Sequence, residues 1–294
     1  MNVMILNKIE KTHLSESESV IMRYILTLGE DVANKTTQDI AKATFTSAPL
    51  CVRIAKKLGY EGWNDFKKAF VEELQYMYAT KDVDASIPFV VNDDLMTIAN
   101  SILRLEEETI SDTKALLSHD DLAKAVSLLR KAEVIDIYSK SSYVYLAQGF
   151  MQKLYSIHKM VNVDANIGNP ILQAAMGDET HVAIVISYSG ETPITLNAAF
   201  KAQSKGTPII AITSISQSTL SKMADVSLRI SSQEMLNTNI GQFASSQSIA
   251  CILDILYAAI FSFDYDKNLE RKIDIGKEVD DGYSEYEYIS KVDD

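Results

Sequence analysis

The residues best suited to bind a charged ligand lie in one short stretch, 187–192, which reads SYSGET. It follows an apolar run that predicts a strand buried on both faces, and it precedes a helical pattern that opens with threonine and proline. The hydroxyls of Ser187, Ser189 and Thr192 can therefore donate hydrogen bonds near the positive end of a helix dipole. Gly190 allows a sharp turn and a close backbone approach. This arrangement suits a phosphate group.

The same residue types also collect at ordinary strand–helix junctions, where they serve only as turn and cap residues. The stretch alone therefore leaves two interpretations open, a phosphate site and a purely structural junction. The elements that surround it favour the first interpretation, because they place the stretch where sheets of this class bind ligands.

From residue 134 onward, strand and helix patterns alternate. Short apolar runs predict strands over 134–138, 159–163, 182–186, 209–213 and 226–230, and helical patterns cover 143–154, 170–176, 193–205 and 218–223. This alternation predicts an α/β domain with a doubly wound parallel sheet. Ligands of such sheets bind beyond the carboxyl ends of the strands at a switch point, which is where 187–192 falls.

The beginning of the chain predicts an all-α domain of a different kind. Polar and small residues mark the starts of three short helices: Ser15 with Glu18 as a capping box, Thr36 or Thr37, and Ser47 or Ala48. A fourth helix follows, with Trp63, Phe66 and Phe70 on one side. The first three helices have the order and short spacing of a helix-turn-helix.

The third helix has two distinct faces. Its apolar face is formed by Cys51, Ile54, Ala55 and Leu58, and its opposite face by Leu50, Arg53, Lys56 and Lys57. A basic third helix enters the major groove in helix-turn-helix proteins, so we expect duplex DNA to contact five residues: Ser47, Leu50, Arg53, Lys56 and Lys57. The alternative is a small helical bundle with an ordinary solvated basic face.

The net charge, the cysteines and the longest apolar run limit the classes of protein to which the chain can belong. The 294 residues carry a formal net charge of −12, which disfavours indiscriminate nucleic-acid binding and leaves room only for a local basic face. Cys51 and Cys251 fit a reducing cytoplasm better than a disulfide framework. The longest apolar run, 249–263, is shorter than the ~20 residues of a membrane span and contains Asp254. We therefore expect a cytoplasmic protein with no membrane partner.

Breaks in these patterns divide the chain into four parts. We expect a helix-turn-helix domain over 1–79, a linker over 80–94, the α/β domain over 95–264 and an acidic, tyrosine-rich tail over 265–294. The tail has few aliphatic residues, which predicts a frayed or surface-lying segment. The long apolar helices over 95–117 and 245–263 are the surfaces that we expect in a homodimer or homotetramer.

Two sets of motifs resemble one known family, the RpiR-type transcriptional regulators. The first set is LSESE over 14–18 with RIAKKLGYEGWNDFK over 53–67, which is similar to the family's LTxxE…VxRxxKKLGYxGFxEFK; the second is SYSGET over 187–192, IAITS over 210–214 and LSKMAD over 220–225. The family joins a helix-turn-helix domain to a sugar isomerase (SIS) domain. The resemblance covers roughly 14–260 and assigns the α/β domain to the SIS type.

The resemblance implies a function as well as a fold. It implies that the SIS domain binds a phosphosugar effector, carries out no reaction and needs no cofactor, and that the ligand alters the binding of operator DNA. The matching positions are Ser187, Ser189 and Thr192 for the phosphosugar, with Gly190 between them, and Arg53, Lys56 and Lys57 for DNA.

Two positions depart from the family pattern. After the first strand the family has G-x-G-x-S, whereas residues 139–143 read SKSSY, so the glycines are replaced and we expect Ser142 to supply the hydroxyl. In the third helix, Leu50 stands where serine or threonine is usual, and its side chain can contact only an apolar group such as a thymine methyl.

The rival interpretation is a sugar-phosphate isomerase of the same fold. Isomerisation needs a well-placed base, and Glu191 is the best candidate, although its position equally suits a capping carboxylate. Of the four histidines, His158 and His181 lie in the alternating region, and His181 is expected at the start of a strand, away from the end that carries the stretch. No Cys/His/Asp cluster has the spacing of a metal site, and no G-x-G-x-x-G follows a strand. A simple isomerase has no use for a helix-turn-helix, which favours the regulator.

Overall fold

The computed structural model describes residues 5, 8, 9, 12–79, 83–163, 170–214, 217–231, 233–235 and 238–279. The amino-terminal elements are α1 (Glu16–Leu28), a 3-10 helix (Gly29–Asn34), α2 (Thr37–Ala43), α3 (Ala48–Lys57) and α4 (Trp63–Ala79). They are followed by α5 (Leu95–Leu116), α6 (His119–Lys131), β1 (Val134–Tyr138), α7 (Tyr143–Tyr155), β2 (Met160–Val163), α8 (Pro170–Met176), β3 (His181–Ile186), α9 (Pro193–Ser204), β4 (Ile209–Ser214), α10 (Thr219–Met223), β5 (Val226–Ile230), α11 (Phe243–Phe263) and α12 (Tyr265–Val279).

The amino-terminal helices begin where the sequence predicts. Ser15 and Glu18 form the expected capping box, in which the Ser15 N–H donates to Glu18 Oε2 at 2.8 Å and the Glu18 N–H donates to Ser15 Oγ at 3.4 Å. Thr36 and Asp39 form a second capping box at the start of α2. Ser47 is the N-cap of α3, although its side chain makes no capping bond.

Helices α1 to α4 share one hydrophobic core. The apolar stripe predicted for the third helix is confirmed, because its four residues are all buried: Cys51, Ile54, Ala55 and Leu58. Trp63, Phe66 and Phe70 brace this core from α4, with neighbouring ring centroids 5.4 and 5.7 Å apart. The opposite face of α3 is thereby turned outward.

The second domain contains a five-stranded parallel sheet in the order β2-β1-β3-β4-β5. After β1 the chain adds β2 on one side and then β3 on the other, so the winding direction changes between β1 and β3. Tyr138 of β1 pairs with Val185 of β3, which brings the carboxyl ends of these two strands to one edge. The predicted doubly wound α/β architecture and its switch point are confirmed.

The two faces of the sheet are packed differently. One face carries α6, α7 and α11 and is filled by large aliphatic and aromatic side chains. The other face carries α8, α9 and α10 and is lined by small residues, among them Ala183, Ala198, Ala199, Ala202 and Ala211. Because alanine adds so little volume, α9 packs with its backbone close to the strands.

The apolar helix α11 belongs to the core of this domain. Among the described residues it is the one helix long and apolar enough to cross a membrane by length and composition. Its inner face, with Ile249, Ile252 and Leu256, is buried against the sheet, and Ser248 is hydrogen-bonded to Thr113 of α5 at 2.7 Å. We therefore interpret α11 as a core helix.

Two predicted irregular segments are more ordered than expected. The predicted tail begins with α12, which is fixed to the domain because Asn268 is buried and donates to the Phe261 carbonyl at 3.1 Å. Its later residues, 280–294, lie outside the described part of the chain. In the predicted linker, Ala85 and Ser86 are buried. Tertiary contacts that no local pattern reveals account for both differences.

Candidate functional site

The 187–192 stretch connects β3 to α9 through a turn that requires glycine. Gly190 has φ +63°, and a Cβ at this position would lie 2.0 Å from the Oγ of the buried Ser218. The Leu220 N–H donates to the Gly190 carbonyl at 3.1 Å, so the start of α10 packs directly on the turn. A side chain here would push the loop and α10 apart.

The hydroxyls of the stretch converge within this turn. Ser187 Oγ accepts the Gly190 N–H at 3.1 Å and shares a hydrogen bond with Thr192 Oγ1 at 3.0 Å. Ser189 Oγ accepts the Glu191 N–H at 3.2 Å. Thr192 is the N-cap of α9, but its side chain makes no capping bond. The amino end of α9 therefore keeps the positive dipole end that favours an anion, beside three hydroxyls able to donate to it.

A second loop, after β1, lies at the same edge of the sheet. Ser142 is exposed at the start of α7, and its Oγ donates to Gln242 Oε1 at the start of α11. Ser141 before it has φ +59°, a conformation that a glycine adopts without strain, and it occupies one of the positions where the family has glycine. Ser142 and the 187–192 stretch thus approach the switch point from two neighbouring strands.

Two buried polar atoms beside this loop lack a hydrogen-bond partner among the described residues, Tyr138 Oη and Ser139 Oγ. Burial, together with the charge of Asp136, raises the pKa of Tyr138 well above its usual range. Leaving such groups unpaired costs free energy. Sequence reasoning identified neither atom as part of the site, because Tyr138 belongs to an otherwise ordinary strand.

The candidate base Glu191 is engaged in a structural role. Its Oε1 accepts the Thr219 N–H at 2.7 Å and so holds the first turn of α10. His181 lies at the amino end of β3, at the opposite edge of the sheet, where its Nδ1 is 2.7 Å from the buried Asp136. His158 follows α7 at that same far edge, with φ +59°. The described residues hold no group of three His, Cys, Asp or Glu side chains arranged for a metal ion.

A buried carboxylate, Glu234, was missed by sequence reasoning. Its side chain accepts the Ala244 N–H at 2.6 Å and the Ser245 hydroxyl, and burial raises its pKa to about 7. Tyr143 of α7 donates to Ser245 Oγ at 3.0 Å, which ties this group to the loop after β1. The short polar segment between β5 and α11 gives no local signal that a glutamate in it is buried.

In the amino-terminal domain, Glu18 holds two of the predicted DNA-binding residues. Glu18 Oε1 accepts Arg53 Nε at 3.2 Å, and Glu18 Oε2 accepts Lys57 Nζ at 2.9 Å. The N–H of Ser15 and the charge and hydrogen bond of Lys57 lower the pKa of Glu18 to about 2, so the buried carboxylate stays ionised. The Arg53 side chain remains 65% exposed, with its terminal nitrogens beyond the bond to Glu18.

The outer face of α3 differs in one respect from the prediction. Ser47 and Lys56 are exposed, as predicted, whereas Leu50 is half-buried and packs against the helical core. Leu50 lies one turn before the buried Ile54, so the two side chains lie on the same side of α3 and Leu50 packs inward. Val52 takes the outer position instead and lines an open groove of about 530 Å³ at the start of α3 with the following residues: Thr37, Ala48, Pro49, Arg53 and Lys56.

The turn before α3 presents an unusual residue to solvent. Phe45 is 96% exposed and has φ +54°, a left-handed conformation that is strained for a bulky side chain. The backbone is held there because the Thr46 N–H donates to the Ala41 carbonyl at 2.9 Å, and the hydroxyls of Thr44 and Thr46 bond to each other at 2.8 Å.

A basic, outward-facing third helix, joined to a parallel sheet with an anion-suited loop at its switch point, defines the class of DNA-binding regulators that carry an effector domain. The chain matches two family models, the helix-turn-helix domain of the rpiR family over residues 1–77 and the SIS domain over residues 128–259. The chain therefore belongs to the RpiR-type regulators, which combine these two domains.

The chain is similar to individual proteins in sequence or in fold. The chain is 28% identical over 244 residues to the uncharacterized HTH-type transcriptional regulator TTE0211 of Caldanaerobacter subterraneus, covering 83% of this chain and 85% of that protein. Its fold resembles the Vibrio vulnificus NanR protein complexed with ManNAc-6P, with a TM-score of 0.61 and 23% identity over 90% of this chain and 93% of NanR. It also resembles a proposed sugar-phosphate isomerase from Listeria monocytogenes, with a TM-score of 0.51 and 20% identity over 59% of this chain and 94% of that one.

Proposed function

We propose that this regulator binds a phosphosugar at the 187–192 stretch and changes its affinity for operator DNA in response. The observation that carries the proposal is the convergence of Ser187, Ser189 and Thr192 on the uncapped amino end of α9, within a chain that also carries a helix-turn-helix. A phosphate needs several donors and a positive potential, and this junction offers both. The complex of NanR with ManNAc-6P makes N-acetylmannosamine 6-phosphate a reasonable first candidate.

The ligand site can be tested by thermal shift with a defined panel: N-acetylmannosamine 6-phosphate, glucosamine 6-phosphate, glucose 6-phosphate, fructose 6-phosphate and ribose 5-phosphate. We expect at least one sugar phosphate to raise the melting temperature of the wild type, and the matching free sugar to have no effect. Ser189→Ala should abolish this response, because it removes a donor beside the helix end, and should leave the ligand-free melting temperature nearly unchanged. Ser204→Ala, at the other end of α9, is the matched control. A full response from Ser189→Ala would place the ligand elsewhere.

We assign DNA contact to the exposed residues of α3. Ser47, Arg53 and Lys56 lie on its outer face, where a recognition helix meets the major groove. Arg53 is the best candidate for reading a base, because its Nε is held by Glu18 while its terminal nitrogens face solvent. Lys57 and the half-buried Leu50 contribute less in this proposal, since one is paired with Glu18 and the other packs inward.

We further propose that the protein works in the cytoplasm as a homodimer or homotetramer. Helix α5 leaves several large apolar side chains exposed: Leu95, Met96, Leu103 and Ile110. A second copy of the chain could cover them, as expected for a protein that binds a palindromic operator. Analytical ultracentrifugation should show an oligomer for the wild type and a smaller species for Leu103→Glu; a monomeric wild type would contradict this assignment.

A second candidate function, sugar-phosphate isomerisation, has one observation in its favour. The pKa of the buried Glu234 is raised to about 7, which is the range of a general base, and this residue is connected to the loop after β1. Both carboxylate oxygens are, however, already engaged at the start of α11. We expect no product when the panel is incubated with the protein and followed by NMR; turnover that Glu234→Gln abolishes would favour the enzyme.

A further inference from the structure

The segment that leaves the DNA-binding domain is hydrogen-bonded to the SIS domain through Ser86. It is only 4% exposed, although it lies within the predicted linker. Its Oγ accepts the Met235 N–H at 2.8 Å, and its carbonyl accepts the Ile240 N–H at 3.0 Å. Ala85 beside it is buried against α5 and α11. The linker therefore has a defined attachment point on the loop between β5 and α11.

The same loop is attached to the candidate ligand site. Tyr188 lies between Ser187 and Ser189, and its buried hydroxyl donates to the Glu234 carbonyl at 2.6 Å. From the loop after β1, Ser142 donates to Gln242. The loop between β5 and α11 is thus bonded to the ligand site on one side and to the linker on the other.

One peptide group carries both attachments. Its oxygen, from Glu234, accepts the Tyr188 hydroxyl, and its N–H, from Met235, donates to Ser86. A peptide group is planar, so it cannot rotate at one end without moving the other. The Glu234 carboxylate fixes its orientation by accepting two hydrogen bonds from the first turn of α11. This peptide group therefore has one defined orientation in the structure, and a displacement of Tyr188 would change that orientation.

We propose that the Glu234–Met235 peptide group couples the phosphosugar site to the DNA-binding domain. A ligand that moves the 187–192 stretch displaces Tyr188 and rotates this peptide group. The rotation shifts Ser86, the residue through which the linker is attached to the SIS domain. The proposal rests on the proposed function and adds the route by which it is regulated. Tyr188 and Ser86 are positioning residues, because their side chains act through the peptide group. The coupling free energy can be no larger than the difference in ligand-binding free energy between the original and the rotated orientation of this peptide group.

The experiment compares Tyr188→Phe and Ser86→Ala with the wild type. The dissociation constant for a duplex selected by the wild type from a random library is measured by fluorescence anisotropy, with and without the panel member that gives the largest thermal shift. We expect the ratio of the two constants, at least about fivefold in the wild type, to fall to about one in both variants. Tyr145→Phe and Ser127→Ala, which change exposed residues of α7 and α6, should keep the wild-type ratio.

Separate measurements of ligand binding and of DNA binding distinguish a failure of the coupling from a failure of the proposed function. Ser86→Ala should bind the sugar phosphate alone and the duplex alone about as tightly as the wild type, because Ser86 lies in neither assigned binding site. Tyr188 lies within the ligand stretch, so the ratio for Tyr188→Phe is measured at a sugar-phosphate concentration that saturates this variant. A wild-type ratio in both variants would overturn the coupling and leave the proposed function intact. A wild type that binds no sugar phosphate would overturn the proposed function itself.

Amide hydrogen exchange tests the coupling without any ligand. Tyr188→Phe should speed exchange of the Met235 and Ile240 amides, far from the substitution in sequence, because both N–H groups donate to Ser86 and this attachment loosens when the Tyr188 hydroxyl bond is removed. The folded state of the variant is checked by the exchange of β1, which should stay protected. Unchanged exchange of the Met235 and Ile240 amides would overturn the proposal even if no effector were known.

Discussion

The buried carboxylate of Glu18 gives a direct test of how the third helix is held. Its side chain is 3% exposed and bonds to Ser15, Arg53 and Lys57. The hydrogen bonds from Ser15 and the hydrogen bond and charge of Lys57 lower its pKa from 4.5 to about 2. We expect Glu18→Gln to lower the free energy of unfolding at neutral pH by up to roughly 3–4 kcal/mol, because each unit of pKa lowering corresponds to about 1.4 kcal/mol. The amide can still accept the Ser15 N–H, which makes this figure an upper limit.

The pH dependence of this effect has a definite sign. The folded-state pKa of Glu18 lies below its unfolded value, so its stabilisation is complete above the unfolded value of 4.5 and disappears as the pH falls towards 2. The difference between the wild type and Glu18→Gln should therefore shrink over this acidic range. Above it, the difference should stay constant until other groups titrate.

The chain offers a natural probe for this measurement. Trp63 is the only tryptophan, and it is 6% exposed within the amino-terminal core, so its fluorescence reports the unfolding of this domain by urea. Glu16→Gln, at an exposed position in the same helix turn, is the matched control and should change the free energy of unfolding by at most about 0.5 kcal/mol. Equal effects of the two substitutions, or a difference that does not vary with pH, would refute the reasoning.

Four other substitutions test further features. Arg53→Ala should weaken binding to the selected duplex by about 1–3 kcal/mol, because we propose that Arg53 reads a base. Lys56→Ala should mainly reduce the slope of affinity against salt by about one, because we propose that Lys56 contacts a phosphate; fluorescence anisotropy measures both effects. Phe45→Gly should raise the free energy of unfolding by about 1 kcal/mol, since glycine relieves the strain at φ +54°, and Trp63 fluorescence measures it. The raised pKa of Glu234 implies that this group stabilises the folded state fully below pH 4.5, its ordinary pKa, and that the stabilisation is lost as the pH rises through about 7. Glu234→Gln should remove this pH dependence of the melting temperature, which circular dichroism measures.

Each of these predictions has a matched control. Arg53→Lys keeps the charge and loses the guanidinium fork, so affinity equal to the wild type would argue against base reading. Phe45→Ala keeps a Cβ in the strained conformation, and a gain as large as that of glycine would mean that strain is not the cause. For Glu234, the control is Glu191→Gln, an exposed carboxylate at the ligand stretch, which should retain the wild-type pH profile.

Local features of the fold were predictable from the sequence. Capping boxes, the Thr192-Pro193 helix start and the apolar strands depend on neighbouring residues, so their patterns are visible in the chain itself. The switch point also followed, because alternating strands and helices leave few possible topologies. The prediction for α3 differed from the structure at Leu50, which packs against the core beside Ile54, one turn further along the helix.

Long-range contacts of the candidate sites were not predictable in the same way. Glu18 meets Arg53 and Lys57 across 35 and 39 residues of chain, and no periodicity connects these positions. Ser86 is bonded to Met235 across 149 residues. Glu234 is buried by elements that pack around it, which depends on tertiary structure. Such pairs could be found from the sequence only by comparing many related sequences for correlated changes.

The alanine-lined side of the sheet restricts how this protein can diverge. Ala198, Ala199 and Ala202 are fully buried where α9 lies on the strands. A valine at any of them would overfill the interface at a cost of about 1–3 kcal/mol, and relief of that crowding would push the helix outward. The hydroxyls of the ligand stretch sit at the front of this helix and would be displaced with it. Substitutions at these three positions are therefore confined to the smallest side chains. The face of the sheet that carries α9 should tolerate fewer mutations than the face that carries α11.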